Sequence, residues 1–310
     1  MPIKVNEYEV RLTRSGEERR QVRNLRYRVF CEEEGAYATQ EQKALQEEYD
    51  DYDRYAEYMA VFHNDKVVGT YRIINRESAE KLGGFYTETE YNISKIKRVK
   101  GNIMEMSRAC IDIDYRDSLA VRLLWLGLAN YILANKIVLV FGVSSFVGTK
   151  PAEFAHCFSY LYYNHLSPIS LRPVVLPEKM NNVDRSQTRM NILPRTHVDE
   201  KLAWAQMTPI LKGYMRLGAK VGQGIFVDEP FNSCDVFTFM KTKDINKVYQ
   251  KHFAGNPNAF DHLGIKPGPV KYLGKQITKI LLSPVTGFIA LADFFLEPEE
   301  AAEVKKGEEQ

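Results

Sequence analysis

Hydrophobic and polar residues alternate with a period of two along several short segments, as they do in half-buried β-strands. Tyr8–Leu12 alternates in this way near the start of the chain. Tyr58–Phe62 and Lys66–Ile74 flank the polar triplet His63–Asp65, and this arrangement predicts a hairpin. Further strands are predicted at Ile103–Ile113, at the wholly apolar run Ile137–Val143, at Pro168–Pro177, and near residues 219–227 and 234–240.

Apolar residues recur at helical spacing in several other segments. One helix is predicted from near Gly16 through Val29, with Thr13 or Ser15 as its N-cap. Further helices are predicted around Val121–Ile132, at Phe154–Tyr163 and at Ala203–Leu217, the last ending at Gly218. The acidic, tyrosine-rich segment between these first elements, Glu32–Glu57, predicts a loop with helical pieces. The fold class is therefore mixed α/β, without an internal repeat.

The character of the chain changes after about residue 245, which we take as a domain boundary. Residues 1–245 form the predicted α/β domain. Residues 246–296 are a C-terminal extension whose apolar segment is interrupted by Pro284 and Gly287. Residues 297–310 are almost all charged or small, so we expect a disordered tail.

Composition excludes several classes of protein. The 310 residues carry 42 basic and 40 acidic side chains, and a net charge of +2 argues against broad nucleic-acid binding. The N-terminus has no apolar signal-peptide region, and no run of about 18 apolar residues predicts a transmembrane helix. The four cysteines lie far apart in the sequence and predict reduced thiols of a cytoplasmic protein, with no metal site: Cys31, Cys110, Cys157 and Cys234.

Charged residues in the first 110 positions are the strongest functional signal. Several fall in or beside predicted strands, where an unpaired charge is expensive to bury. Such charges line a cleft more often than they face solvent at random, so they predict an enzyme with an acid–arginine site. The residues concerned are Arg26, Asp50, Asp53, Arg72, Glu105 and Arg108.

The order of these residues resembles a known superfamily. Arg-xxx-Phe, Asp-xx-Asp, Gly-Thr-Tyr-Arg and Glu-xx-Arg follow one another here as Arg26 with Phe30, Asp50 with Asp53, Gly69–Arg72, and Glu105 with Arg108. This order resembles the acyl-homoserine lactone synthases and their relatives among GNAT acyltransferases. A closer resemblance, over roughly residues 8–240, is to ornithine lipid synthases of the N-acyltransferase (hemolysin-like) type, through Leu25–Glu33, Gly83–Glu88, Lys212–Ala219, Phe231-Asn232 and Asp235-Val236.

The resemblance implies both a fold and a reaction. The implied fold is a GNAT acyltransferase fold, with a mixed central sheet splayed in the middle and flanked by helices. In the implied reaction a 3-hydroxyacyl chain passes from the pantetheine arm of acyl carrier protein to the α-amine of ornithine, giving lyso-ornithine lipid. No further cofactor is implied.

The residues also bear on the acyl donor. Ordinary acetyltransferases hold the diphosphate of coenzyme A with a glycine-rich loop at a helix start. The corresponding stretch here, Ile113–Ala120, has no glycine, and Asp114 and Asp117 would repel a diphosphate. This favours acyl carrier protein as the donor. The basic run Lys95–Lys100 is a candidate contact for its acidic surface, or simply a solvated face.

Each of the charged residues has a candidate role and a structural alternative. Glu105 is the candidate general base, or a strand carboxylate paired with Arg72 or Arg108. The two arginines either clamp the carboxylate of the amino acid or brace the loop that carries Asp50 and Asp53. Those aspartates bind the side-chain ammonium of ornithine, shape the pocket, or lie in a solvated acidic loop. Arg26 is a loop-ordering partner for Asp50 or Asp53, or an exposed helix residue.

The remaining candidates are less specific. Phe30 lines the acyl or substrate pocket, or belongs to the core. The resemblance suggests a role on the substrate side for Asp228 or Asp235. A backbone N–H within Ala109–Ile111 is the expected oxyanion donor. Three tyrosines lie in the region from which a proton would return to the thiolate: Tyr160, Tyr162 and Tyr163.

Other functions stay open at this point. The enzyme could acylate another amino acid such as glycine, or make an acyl-homoserine-lactone-type signal. The apolar stretch between Ile277 and Phe295, flanked by lysines, also fits a peripheral contact with the inner membrane, or a non-catalytic lipid-binding protein.

Overall fold

A mixed β-sheet forms the centre of the computed structural model, which describes residues 2–116, 119–180 and 188–244. The main sheet has nine strands, in the order β1-β2-β3-β4-β6-β7-β11-β10, with β9 paired to β11; β5 and β8 form a separate two-stranded sheet. The strands are β1 (Ile3–Val5), β2 (Tyr8–Leu12), β3 (Glu57–His63), β4 (Lys66–Asn75), β5 (Tyr91–Asn92), β6 (Asn102–Ile111), β7 (Ile137–Val147), β8 (Val174–Val175), β9 (Lys220–Val221), β10 (Phe226–Asp228) and β11 (Ser233–Lys241).

The sheet splays in its middle, as predicted. The strands β6 and β7 form its parallel pair, and their pairing ends at Glu105 and Phe141. Both strands continue, to Ile111 and Val147, but without pairing to each other. The opening begins at Gly142, where an added Cβ would lie 2.2 Å from the carbonyl oxygen of Met106. Only glycine allows this close approach of the two strands.

Helices cover both faces of the sheet. Val22 and Leu25 of α1 pack against Tyr58 on one face, and Leu124 of α5 belongs to the core on the other. Gly127 lets α5 approach the sheet closely. The helices are α1 (Gly16–Arg26), α2 (Gln40–Leu45), α3 (Arg76–Leu82), α4 (Ser94–Lys97), α5 (Leu119–Ala134), α6 (Ala155–His165), α7 (Glu200–Gln206) and α8 (Pro209–Arg216).

The hairpin predicted around His63–Asp65 is confirmed. β3 and β4 pair antiparallel, and Asn64 and Asp65 both adopt positive φ values, of 48° and 64°, as in a tight primed turn. Two strands differ in length from the prediction, because β6 ends at Ile111 and β7 extends to Val147.

Three predicted elements need correction. The helix predicted at 203–217 is two helices, because Thr208 accepts a hydrogen bond from the Leu211 N–H and Pro209 begins a new helix. The strand predicted at 168–177 is reduced to β8. The first helix changes to a π-helical segment at Tyr27–Glu33, and such segments occur frequently at functional sites.

The predicted extension 246–296 and tail 297–310 lie outside the described residues. Within the described part of the chain, no helix is both long and apolar enough to cross a membrane.

Candidate active site

One face of the sheet carries most of the predicted site residues. Side chains alternate between the two faces along a strand, and directly paired residues share a face. Phe141 of β7 pairs with Glu105 of β6 and with Phe239 of β11, so Asp235 of β11 shares the face of Glu105. Arg72 of β4, two residues before the partner of Glu105, lies on it too. We call this the site face.

Three arginines and three carboxylates form a continuous ion-pair network on the β4–β6 side of this face. Arg26, at the end of α1 and fully buried, donates hydrogen bonds to Glu48 and, at 2.9 Å, to Asp53. Arg72, also fully buried, donates to Asp53 at 3.0 Å and to Asp50. The arginine–carboxylate network consists of Arg26, Glu48, Asp50, Asp53, Arg72 and Arg108.

The network keeps Asp50 and Asp53 ionised. Burial acts to raise the pKa of Asp53, but Arg26 and Arg72 outweigh it, and the pKa lies well below its usual value. The pKa of Asp50 is lowered in the same way, against burial, by Arg72 and Arg108. The three arginines and three carboxylates of the network therefore compensate one another's charge although they are largely shielded from water. These contacts favour the pocket-shaping alternative for Asp50 and Asp53 over binding of a substrate ammonium.

Arg108 occupies a β-bulge. The register of β4 and β6 shifts by one residue between Thr70 and Arg72, and Arg108, opposite this shift, has a φ of 50°. Its guanidinium donates to Asp50 at 3.1 Å and lies 4.6 Å from the ring centre of Tyr86 and 4.1 Å from that of Phe231. Arg108 therefore links the network to the other side of the splay.

Glu105 lies between the two sides of the splay, at the point where the pairing of β6 and β7 ends. It is fully buried, and neither carboxylate oxygen has a hydrogen-bond partner among the described residues. The predicted pairing with Arg72 or Arg108 is therefore not a direct contact. Burial raises the pKa of Glu105 to about 7, although Arg72 and the nearby backbone amides of Thr87 and Tyr86 oppose the shift. A carboxylate that titrates near neutral pH is suited to general base catalysis.

A second group of carboxylates lies on the β10–β11 side. Glu90, Asp228 and Asp235, which we call the acidic triad, are all buried, with one oxygen of each within 4.8 Å of the others. Glu90 and Asp228 line a cavity of about 190 Å³ that Tyr86 also borders. An arrangement of this kind can hold a cation, either a metal ion or an ammonium group.

Local hydrogen bonds hold the acidic triad in place. Asp228 accepts from the Phe231 N–H at 2.9 Å, and Asp235 accepts from the Ser233 hydroxyl at 2.9 Å. The hydroxyl of Tyr91, the residue after Glu90, donates to the backbone oxygen of Asp235 at 2.8 Å. The segment that carries Glu90 is thereby fixed against β11.

The two sides of the splay also meet at its wide end. The ring of Phe30 lies edge-on to that of Phe231, with 6.3 Å between their centres. The Tyr37 N–H donates to the carbonyl oxygen of Pro230 at 2.7 Å, and the Asn232 side chain donates to that of Glu34 at 3.1 Å. Phe30 thus lies beside the candidate site, because it contacts Phe231 and the ring of Phe231 in turn contacts the Arg108 guanidinium.

The opposite face of the splay contains a small cavity of about 20 Å³. Met106, Gly142 and Tyr214 are among the residues that line it, and the hydroxyl of Tyr214 is 3.1 Å from that of Tyr71. Burial raises the pKa of Tyr214 to about 12, so this hydroxyl keeps its proton at neutral pH. Tyr214 is a proton donor candidate that sequence reasoning missed.

The three predicted tyrosines are placed differently. Tyr160 donates to Glu200 at the surface, and Tyr163 donates to the carbonyl oxygen of Leu193. Neither residue, nor Tyr162, lines the cavity that Tyr214 borders. Their hydroxyls gain no support as proton donors.

The structure thus places all nine predicted site residues on or beside the site face, and adds others. Glu48 lies in the acidic loop that was a candidate for a solvated segment, yet it is buried. Glu90 follows a short turn with no motif of its own, so only the fold reveals it. Tyr86 belongs to the segment Gly83–Glu88, which is part of the resemblance but contains no predicted site residue.

The splayed mixed sheet flanked by helices is the fold that the resemblance to GNAT acyltransferases implies. In agreement, a model of the acetyltransferase (GNAT) domain matches residues 25–126. The chain is an acyltransferase of this class. Among solved structures it is similar to the AHL synthase LasI, with 16% identity and a TM-score of 0.42 over 80% of this chain and 95% of that one.

Curated relatives define the family more narrowly. The chain is 32% identical to the L-ornithine N(alpha)-acyltransferase of Rhodobacter capsulatus, over 79% of this chain and 94% of that enzyme. It is also 32% identical to the enzyme of the same name from Brucella abortus, over 83% of this chain and 92% of the relative. The chain belongs to the family of these enzymes.

Proposed function

We propose that this enzyme transfers a (3-hydroxy)fatty acyl chain from acyl carrier protein to the α-amine of ornithine, giving lyso-ornithine lipid. The observation that carries the proposal is Glu105, an unpaired, buried carboxylate at the point where the sheet opens. The names of the curated relatives support ornithine as the acceptor. Because those relatives are enzymes, the non-catalytic lipid-binding alternative is not carried forward.

The proposed chemistry is nucleophilic attack of the amine on the thioester carbonyl. Glu105 accepts the proton that the amine nitrogen loses as the C–N bond forms. The C–S bond then breaks, an amide remains on the amino acid, and the pantetheine sulfur leaves as a thiolate that takes up one proton. Tyr214, which lines the cavity on the opposite face, is the candidate donor of that proton.

The oxyanion of the intermediate needs hydrogen-bond donors. Beyond Glu105, the edge of β6 that faces β7 has no strand partner among the described residues. This edge includes the predicted segment Ala109–Ile111. Backbone N–H groups there are available without breaking a sheet hydrogen bond, which supports the expected oxyanion site.

Two features support acyl carrier protein as the donor. The glycine-free stretch before α5 includes Asp114, whose charge would repel a diphosphate; Asp117, the other aspartate of this stretch, lies outside the described residues. Asp112, directly before the stretch, is already paired with Arg28 and Lys66. Of the basic run, Lys97 and Lys100 are exposed. A carrier protein brings a single phosphodiester and an acidic surface, and so fits this arrangement better than coenzyme A. The proposal for the donor fails if acyl-coenzyme A of the same chain length gives an equal kcat/KM.

The first test is mass spectrometry of the products formed from 3-hydroxyacyl carrier protein and ornithine by the purified chain and by Glu105→Gln. We expect an N-acylated ornithine from the original chain and a roughly 10²–10⁴-fold lower kcat with Glu105→Gln. The matched control is Glu80→Gln, an exposed glutamate of α3. A folded Glu105→Gln protein with control-level turnover would exclude Glu105 as the base.

The same comparison in a bacterium tests the product. Expression of the chain should yield new lipids with a 3-hydroxyacyl amide, and expression of Glu105→Gln should not. Identical lipid profiles from both would count against lyso-ornithine lipid as the product.

The peripheral contact with the inner membrane stays a prediction, since the apolar stretch between Ile277 and Phe295 lies outside the described residues. Cosedimentation with lipid vesicles, for the full chain and for one cut after residue 245, tests it. Vesicle binding that survives the cut would rule out this segment as the anchor.

A further inference from the structure

The acidic triad differs from the arginine–carboxylate network in its ion pairs. The three carboxylates of that network are each paired with arginine. Among the described residues, Glu90, Asp228 and Asp235 form no ion pair with a lysine or arginine, and neither oxygen of Glu90 accepts a hydrogen bond. Glu90 is 1% exposed. Arg108 offsets the burial of these acids only in part, and Lys179 borders the cavity without pairing with them. Three buried acids without an ion pair are costly for folding alone, so the triad needs another explanation.

The triad lies where the acceptor would bind. It is on the same face as Glu105, across the splay from the arginine–carboxylate network. Tyr86 connects the two sides, because its ring lies under the Arg108 guanidinium and also borders the cavity of the triad. A group held in that cavity would therefore reach toward the candidate base and toward a fixed positive charge.

An amino acid with a cationic side chain matches this layout. Its α-amine would face Glu105 and its carboxylate would face the Arg108 side. Its side-chain ammonium, with three donors, would enter the cavity and meet the oxygens of Glu90, Asp228 and Asp235. We infer that the acidic triad is the specificity pocket that recognises the side-chain cation of the acceptor amino acid; this inference rests on the proposed function. Glycine and other amino acids with uncharged side chains bring no positive charge into the pocket.

The electrostatics of the acidic triad agree with this role. Burial, together with repulsion by Asp235 and Asp228, raises the pKa of Glu90 well above its usual value. Burial and Asp228 raise the pKa of Asp235 to about 7. An incoming ammonium would reverse these shifts and stabilise the ionised triad. A neutral acceptor would leave the repulsion in place.

The test compares ornithine with norvaline, which has the same carbon chain without the terminal amine. The variants are Glu90→Gln and Asp235→Asn, and the matched control is Glu88→Gln, since Glu88 is nearby but paired with Lys97. We expect the original chain to prefer ornithine. Each triad variant should lose roughly 10- to 100-fold in kcat/KM for ornithine, mainly through KM, with norvaline changed less than twofold.

Several outcomes would overturn the inference. Equal loss for both substrates would mean that the triad is structural, and unchanged ornithine kinetics would mean that it does not touch the substrate. Equal use of ornithine and norvaline by the original chain would end the specificity proposal but leave the acyltransferase proposal intact. Tight Mn²⁺ binding that is lost in Glu90→Gln would identify a metal site instead.

If the original chain acylates neither amino acid, the proposed function fails and calorimetry still decides the role of the pocket. Ornithine binding that is lost in Glu90→Gln but kept in Glu88→Gln supports the pocket; equal binding in all three proteins refutes it. Thermal unfolding controls for folding. Without ornithine, Glu90→Gln should melt at the same or a higher temperature, because it removes a repelling buried acid.

Discussion

Replacement of Asp53 by asparagine tests whether the arginine–carboxylate network holds the site together. Asp53 is buried, and one of its oxygens accepts hydrogen bonds from both Arg26 and Arg72, at 2.9 and 3.0 Å. Asparagine keeps the size but removes the charge, which leaves two fully buried guanidinium groups with less compensation. Breaking a buried ion pair by removing one partner costs about 3–5 kcal/mol. We therefore expect Asp53→Asn to lower the free energy of unfolding by at least about 3 kcal/mol.

Urea unfolding at pH 7, followed by tryptophan fluorescence and circular dichroism, measures this change. The matched control is Asp51→Asn, since Asp51 is exposed in the same loop. Surface substitutions of this kind usually stay within about 0.5 kcal/mol. A penalty for Asp53→Asn no larger than that of Asp51→Asn would refute the reasoning.

The pH dependence gives a second, independent check of the same variant. Arg26 and Arg72 outweigh burial and hold the folded-state pKa of Asp53 well below its usual value of 3.8, so its ionised form stabilises the fold above that pH. This stabilisation is lost as the pH falls toward the folded-state pKa. The difference in unfolding free energy between the original chain and Asp53→Asn should therefore shrink from pH 7 to pH 3. A constant difference over this range would show that shape, not charge, is responsible.

Three further predictions address the splay and the reaction. Gly142→Ala should lower the melting temperature and abolish most activity, because its Cβ would lie 2.2 Å from the carbonyl oxygen of Met106. Thermal unfolding and turnover at saturating substrate measure these effects. A melting temperature like that of the original chain would contradict the prediction. The kcat/KM for ornithine should rise with pH through about 7 as Glu105 loses its proton, and this limb should disappear from the residual activity of Glu105→Gln; an unchanged limb would assign the ionisation to another group. Tyr214→Phe should reduce kcat more than it changes KM if its hydroxyl protonates the thiolate, and unchanged kcat in stopped-flow assays would remove it from the mechanism.

The sequence predicts the centre of this fold well because local patterns determine it. The hairpin of β3 and β4 has alternating strands and a polar turn, and the short, wholly apolar run Ile137–Val143 is typical of a central strand. The break between α7 and α8 was also readable, since Thr208-Pro209 is a helix start signal. The prediction of one helix missed this signal because the apolar pattern continues on both sides of that dipeptide.

The site was predictable only in part. Charged residues in strands stand out, and Arg72, Glu105 and Arg108 were found for that reason. Their partners in loops do not stand out, because the surrounding residues are also acidic or polar; Glu48 and Glu90 are of this kind. Burial of such residues comes from contacts between distant segments, and no local pattern encodes it.

The contact at the wide end of the splay has a consequence for the order of folding. Asn232 and Glu34, which hydrogen-bond there, are separated by 198 residues, and the two sides of the candidate active site come from opposite ends of the domain. Closing so long a loop costs entropy before the contact can repay it, which slows folding. During synthesis the arginine–carboxylate network can assemble early, whereas Asp228 and Asp235 can reach Glu90 only after β10 and β11 have left the ribosome. The recognition role inferred for the acidic triad would therefore be absent from a nascent chain until the domain is almost complete.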